Sequence, residues 1–252
     1  MEVPNALLAK NLGMIMLKPD GTQREVLTFA LQRLLEQGCL PVLVLDDVSF
    51  NREQAKAFYP KEGPWCERYG AKLLSFWHEH KMKIPETCHL VPDSKRSLEH
   101  NVGYLILERM ADYLSSGPCC GIFFATDGDP FVLAKNIVGL STIPFQCDKD
   151  TLRGRFNTQE TLEGSYLESC ALHNVAHSSE NPDELHREIS QVIAVLRSKQ
   201  DLSHNTQASY LVSLASRYRI FCQSDSRQRQ LSTAHSLLKK RVLFLDKNGI
   251  IL

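Results

Sequence analysis

The stretch Leu172-His173-Asn174-Val175-Ala176-His177-Ser178-Ser179-Glu180-Asn181-Pro182-Asp183-Glu184-Leu185-His186-Arg187-Glu188-Ile189-Ser190 decides how the rest of the chain is read. Its second half is a helix start. Asn181 can accept an orphan amide hydrogen at the N-cap, Pro182 suits the first helical position, and Glu184 completes a capping-box pattern. Leu185, Ile189, Val192, Ile193 and Leu196 then recur at helical spacing, which gives the helix one buried face. His177 is expected in the loop just before that N-terminus, where amide hydrogens and the macrodipole favour anions. Glu188 falls just over one turn beyond the helix start. A histidine so placed is a candidate phosphate-handling group.

The 252 residues hold one large or two small domains at about 150 residues per domain. With 43% hydrophobic and 23% charged residues, there is material for a sizeable core. Lysine plus arginine (29) balances aspartate plus glutamate (29), which argues against wholesale binding to nucleic acid or membrane surfaces. The first eleven residues lack the basic-then-apolar pattern of a secretion signal, and no apolar run approaches membrane-spanning length. A cytoplasmic protein is expected, with neither a membrane partner nor sequence-specific nucleic-acid binding. Eight cysteines without regular spacing, including adjacent Cys119 and Cys120, read as free thiols rather than a disulfide framework. Cys66, His78, His80, Cys88 and His89 crowd one segment, but without paired Cys-x-x-Cys or His-x-x-x-His spacing no protein metal site is expected.

From the N-terminus, Met14-Ile15-Met16-Leu17 fits a buried strand ended by the turn Lys18-Pro19-Asp20-Gly21. Thr22 with Glu25 forms a second capping-box pattern, and a helical stripe from Val26 to Leu35 stops at Gly38. A second strand is expected over 40–48, and a helix capped by Asn51 through Phe58. Residues 61–101 are polar, interrupted by prolines, and read as an insertion. A helix over 104–114, a central strand over 119–125 and a helix opened by Asp129-Pro130 follow. A loop from 139 carries Pro144 and the basic Arg153-Gly154-Arg155. After the helix at 182–199, residues 201–206 read as a linker, 209–220 and 231–240 as helices, and Val242-Leu243-Phe244-Leu245 as a strand. This order suggests an α+β sandwich. Residues 1–200 would form one domain and 201–252 a mixed C-terminal extension.

These residues carry a specific resemblance. Lys18-Pro19-Asp20-Gly21 after the first strand resembles the signature near the N-terminus of nucleoside diphosphate kinases. Asn174-Val175-Ala176-His177-Ser178-Ser179-Glu180 resembles that family's active-site stretch. Ser116-Gly117-Pro118, Thr151-Leu152-Arg153-Gly154-Arg155-Phe156 and Glu188 also match family positions. Each motif alone is weak, but their common order is not. The resemblance covers roughly 13–58 and 104–195.

It implies a ferredoxin-like βαββαβ fold and ping-pong transfer of the γ-phosphate of a nucleoside triphosphate to a nucleoside diphosphate through a phosphohistidine on His177. Neutral imidazole, with an unperturbed pKa of about 6.5, is a competent nucleophile at cytosolic pH. Glu188 would fix the tautomer and stabilise charge on the ring. Because phosphoryl transfer is mostly positioning and charge neutralisation, basic groups must converge on the phosphates. By match, Lys18 reaches the γ-phosphate and the ribose 3′-hydroxyl, Asn174 the sugar and Arg153 the phosphates, while Ser179 hydrogen-bonds at the site, with Glu188 as one route. Mg²⁺ would be carried by the nucleotide phosphates rather than by a protein cage. A homo-oligomer, dimer or larger, is also implied.

The chain departs from the family at defined points. The phosphate arginine falls on Lys135, which offers charge without a bidentate fork. The loop threonine falls on Thr142 or Ser141. The base-stacking aromatic falls near Ile106, with Tyr104 as a substitute, while Tyr59 is retained beside the phosphates. Extra residues at 160–170 lie in the loop that usually joins the larger assembly, so an altered hexamer, a dimer for instance, is expected. These departures motivate an alternative: a catalytically weak relative whose insertion and C-terminal extension serve protein interactions.

Overall fold

The computed structural model describes residues 11–59, 63–79, 81–84, 97–142, 144–156, 173–199, 202–217 and 244–245. They divide into two compact units: Met1–Ser49, Pro118–Asn157 and Asn174–Leu252 in one, Phe50–Gly117 and Thr158–His173 in the other. The first carries the sheet. Strand β1 (Asn11–Leu17) is buried along its whole length, as a strand covered on both faces must be. It pairs antiparallel with β3 (Cys119–Thr126), from Asn11 opposite Thr126 to Leu17 opposite Cys120. β2 (Leu40–Val48) pairs antiparallel with the other edge of β3, with register shifts between Pro41 and Leu43 and between Leu45 and Val48.

The sheet is closed on the far side by β4 (Ala176–Ser178), which runs antiparallel to β1 with His177 opposite Met16. The four antiparallel strands lie in the order β4-β1-β3-β2, the ferredoxin-like arrangement that the resemblance implies. A fifth, β5 (Phe244–Leu245), runs parallel to β2 at the outer edge. Helices α1 (Arg24–Glu36), α5 (Pro130–Val138) and α6 (Leu152–Arg155) cover one face, where Val26, Ala30, Leu34, Ala134, Ile137 and Leu152 meet Ile15, Leu17, Val44, Ile122 and Phe124. Helix α7 (Pro182–Ser198) packs on β2, and α8 (Leu202–Arg217) packs on α7.

The second unit is helical. α2 (Arg52–Phe58) has the complete capping box, Asn51 taking the Gln54 amide and the Gln54 side chain taking the Asn51 amide, both at 2.9 Å. α3 (Gly63–Glu79) and α4 (Leu98–Leu114) pack so closely that a Cβ on Gly70 would lie 1.7 Å from the Glu99 carbonyl oxygen. Leu73, Trp77, Val102 and Ile106 form the core between them. Arg52 with Asp112 at 2.6 Å, and Lys56 with Glu108 at 2.8 Å, tie α2 to α4.

Several local expectations are corrected. The Thr22–Glu25 capping box does not form. Pro19–Gly21 makes a 3-10 turn whose Pro19 carbonyl accepts the Thr22 hydroxyl at 3.1 Å, and Gln23 becomes the N-cap. His177 lies in a strand rather than a loop, because β1 offers it an antiparallel edge. At the start of α7, Asn181 caps Glu184 as expected, but the Glu184 carboxylate takes the Glu180 amide at 2.9 Å. The expected linker at 201–206 is largely helical, since α7 supplies a surface for Ala208, Leu211 and Leu214. The 104–114 helix begins at Leu98, capped by Ser97. The helix expected over 231–240 lies outside the described residues. No described helix is long and apolar enough to cross a membrane.

Candidate active site

Three-residue β4 alternates buried Ala176, partly exposed His177 and buried Ser178, as the period of a strand requires. The strand holds the histidine beside the start of α7, and the Asn181–Pro182 cap fixes where that helix begins. Glu188, only 1% exposed, comes from the second turn of α7. His177 Nε2 lies 2.8 Å from Glu188 Oε1, and the Ser179 hydroxyl donates to Glu188 Oε2 at 2.6 Å. A carboxylate accepts, so Nε2 carries the hydrogen and the lone pair resides on Nδ1. The arrangement suits a nucleophilic Nδ1 whose developing positive charge is balanced from the far side of the ring.

The turn after β1 seats directly on the stretch that carries His177. The Lys18 amide donates to the Val175 carbonyl at 2.9 Å, and the Gly21 amide closes back on the Lys18 carbonyl at 2.7 Å. A Cβ on Gly21 would lie 2.2 Å from the Val175 carbonyl oxygen, so only glycine lets the two segments approach this far. Gly21→Ala is expected to push the turn off the stretch, cost about 1–3 kcal/mol, and displace Lys18 relative to His177. Thermal melting unchanged from the parent chain would refute this close-packing account.

Lys18 itself is only 4% exposed. Its amine is lowered from 10.5 to about 7, first by burial and then by the positive charge of Arg153, against which Asp20 pulls the other way. Burial also pushes the Cys119 thiol up to about 12, so that thiol is neutral at pH 7. Arg153 directs Nε and Nη2 to the Ala176 carbonyl at 3.2 and 3.1 Å, and Nη1 to the carbonyls of Gly139 at 3.1 Å and Ser141 at 2.9 Å. It thus clamps the residue before His177 to the loop after α5. Two buried basic side chains, Lys18 and Arg153, thus lie against the segment that carries His177, and basic groups held out of water suit an anionic ligand.

Asn174, 4% exposed, donates from Nδ2 to the Thr142 carbonyl at 3.1 Å, which holds the same loop from the other side. Thr142 is exposed, whereas the Ser141 carbonyl is held by Arg153. Lys135 Nζ lies 3.3 Å from Glu180 Oε1. His177, Ser179, Glu188, Lys18, Arg153, Asn174, Thr142 and Lys135 therefore all belong to the sheet-bearing unit. Tyr59 and Ile106 belong to the helical unit. There Tyr59 is 3% exposed and edge-on to Phe58 at 5.5 Å, and Ile106 is core, packed with Leu73, Trp77 and Val102. Two participants carry no assignment from sequence. Cys119 lies beside Lys18 only because β1 and β3 pair, and Glu180 meets Lys135 across 45 residues.

No protein-family model matches the chain, and no curated protein matches it. Among solved structures it is similar to an NDP kinase from Pyrobaculum aerophilum. The two share 23% identity with a TM-score of 0.62, over 72% of this chain and 94% of that one. It is also similar to a nucleoside-diphosphate kinase from Borrelia burgdorferi, solved as a transition-state mimic with bound vanadate and ADP. That match has 16% identity and a TM-score of 0.50, over 73% of this chain and 87% of that one. The chain has a nucleoside diphosphate kinase-like fold.

Proposed function

We propose that this chain transfers the γ-phosphate of a nucleoside triphosphate to a nucleoside diphosphate through a phosphohistidine on His177. The observation that carries the reading is the relay in which Glu188, held by Ser179 at 2.6 Å, takes His177 Nε2 at 2.8 Å. In the first step the Nδ1 lone pair forms a bond to the γ-phosphorus as the bond to the β–γ bridging oxygen breaks, releasing the diphosphate. In the second, a terminal β-phosphate oxygen of another diphosphate attacks that phosphorus and the N–P bond returns its electrons to Nδ1. The Nε2 proton stays toward Glu188 throughout. Lys18, Arg153 and Lys135 supply positive charge for the phosphates, and Asn174 with Thr142 shapes the sugar side.

The groups gathered in the sheet-bearing unit are mainly cations and an imidazole, which suit phosphate oxygens rather than a divalent ion. Mg²⁺ therefore fits as a passenger on the nucleotide phosphates, neutralising part of their charge when bound. Incubation with Mg²⁺ and γ-labelled ATP should place acid-labile, base-stable label on His177 that chases onto GDP. Absence of label under those conditions would favour the scaffold alternative, for which the burial of Ile106, the residue matched to the family's base-stacking aromatic, in the core of the helical unit speaks. A cytoplasmic homo-oligomer smaller than a hexamer completes the reading. Light scattering of the intact chain should report a dimer, and a hexamer would refute that part.

A further inference from the structure

Lys135 and Glu180 form an ion pair whose position matters more than its strength. Lys135 stands one turn before Gly139, the C-cap of α5, whose carbonyl is held by the Arg153 clamp. Glu180 directly follows Ser179, whose hydroxyl holds Glu188. The Glu180 amide donates to Glu184 Oε2 at 2.9 Å, which fixes the backbone that presents the Glu180 side chain. Nζ and Oε1 are 3.3 Å apart, with side-chain exposures of 41% and 48%, so an anion in solution can reach the lysine without any unfolding. An anionic side chain from the catalytic stretch thus engages one of the cations that the proposed reaction needs for phosphate. An exposed pair of this kind is weak enough to exchange partners. The residue type agrees: an ammonium on a flexible stem can swing from one anion to another, which a guanidinium locked in a bidentate fork does less readily.

We propose that Glu180 is a built-in competitor for nucleotide phosphate: its carboxylate holds Lys135 until a phosphate displaces it, and so sets how tightly the site takes nucleotide. The proposal rests on the transferase reading above. Glu180→Gln keeps the size of the side chain and removes its charge. It is expected to tighten Mg·ADP binding, measured by titration calorimetry, by about two- to fivefold. The nucleotide KM falls by the same factor while kcat stays level, because the interaction lost is one of the unliganded site. Glu180→Asp, which retains the charge, binds as the parent chain does. In a Lys135→Met background, Glu180→Gln changes nothing further, since the competitor then has no cation to hold. Mg·ADP binding by Glu180→Gln that is unchanged or weaker than that of the parent overturns the competitor role and leaves the transferase reading standing. No Mg·ADP binding by the parent chain overturns both.

Discussion

On the proposed mechanism, replacing His177 with glutamine is expected to abolish phosphoryl transfer, a loss on the order of 10⁴-fold or more in kcat, yet to leave the melting midpoint close to that of the parent. The two effects separate because the ring does two jobs. Nδ1 carries the lone pair that attacks in the proposed step. Nε2 donates to Glu188, a carboxylate that is 1% exposed and cannot find water instead. Glutamine has an amide nitrogen at a comparable reach and keeps that donor. Alanine does not. His177→Ala should lose transfer equally and also cost about 1–3 kcal/mol, the penalty for removing a donor from a buried charged acceptor. For a chain of this size that lowers the midpoint by several degrees. Label retained on His177→Gln would remove the histidine from the mechanism. Equal melting of the alanine and glutamine chains would show that Glu188 does not depend on it.

The fold was largely legible where burial is local and hidden where it is tertiary. β2 and α5 were readable to the residue because an apolar run and an Asp-Pro cap announce themselves. β1 begins at Asn11, earlier than its apolar run suggests. Gly13 belongs to it because the Phe124 ring of the neighbouring strand occupies the space where a Cβ would be, 2.3 Å away. The same holds for α3 and the first turns of α4. There the segment reads as interrupted by its prolines, while in the folded unit Gly70 and Gly103 are the contact points that let two helices close. In α8, His204 and Gln207 are buried polar residues that look like linker until α7 lies beneath them.

The candidate site divides in the same way. His177, Glu188 and Ser179 are grouped by the family resemblance, with His177 expected in a loop, and the structure brings them together at 2.8 and 2.6 Å from a strand and a helix. Arg153 as a clamp was not legible. Its acceptors are the backbone carbonyls of Ala176, Gly139 and Ser141, and a carbonyl carries no residue-type signature. Ile106 was placed by alignment to a family position, but the Leu73 and Trp77 that bury it come from a segment outside the resemblance. The Glu180 partnership with Lys135 was hidden for a related reason: the two charges meet only once α5 and β4 share the sheet.

Nucleotide affinity is expected to fall as pH rises above 7, by up to about tenfold per unit, and Lys18 is the cause. Its amine sits at about 7 in the nucleotide-free protein, lowered from 10.5 first by burial and then by Arg153. Phosphate oxygens restore the charged form, so above pH 7 binding must draw a proton from solvent. Below pH 7 the proton is already present and the dependence disappears. The same shift acts on stability with a definite sign. Below pH 7 the amine is charged in both folded and unfolded chains, and the folded chain bears the full cost of a buried cation. Between 7 and 10.5 the unfolded chain keeps a proton that the folded chain has released, so stability rises with pH. Above 10.5 both are neutral and the cost is gone. Lys18→Met should therefore stabilise the nucleotide-free protein by a few kcal/mol at pH 7 and below, at about 1.4 kcal/mol per pKa unit, with the gain vanishing at high pH. It should at the same time remove most of the transfer activity. Melting curves and Mg·ADP titrations from pH 6 to 9 test both halves. An affinity that is flat from pH 7 to 9, or a methionine variant less stable than its parent at pH 6, would mean that Lys18 does not carry this proton. The lysine is costly to the empty protein for the reason that makes it useful to the proposed reaction: it is a cation held out of water where a phosphate is to arrive.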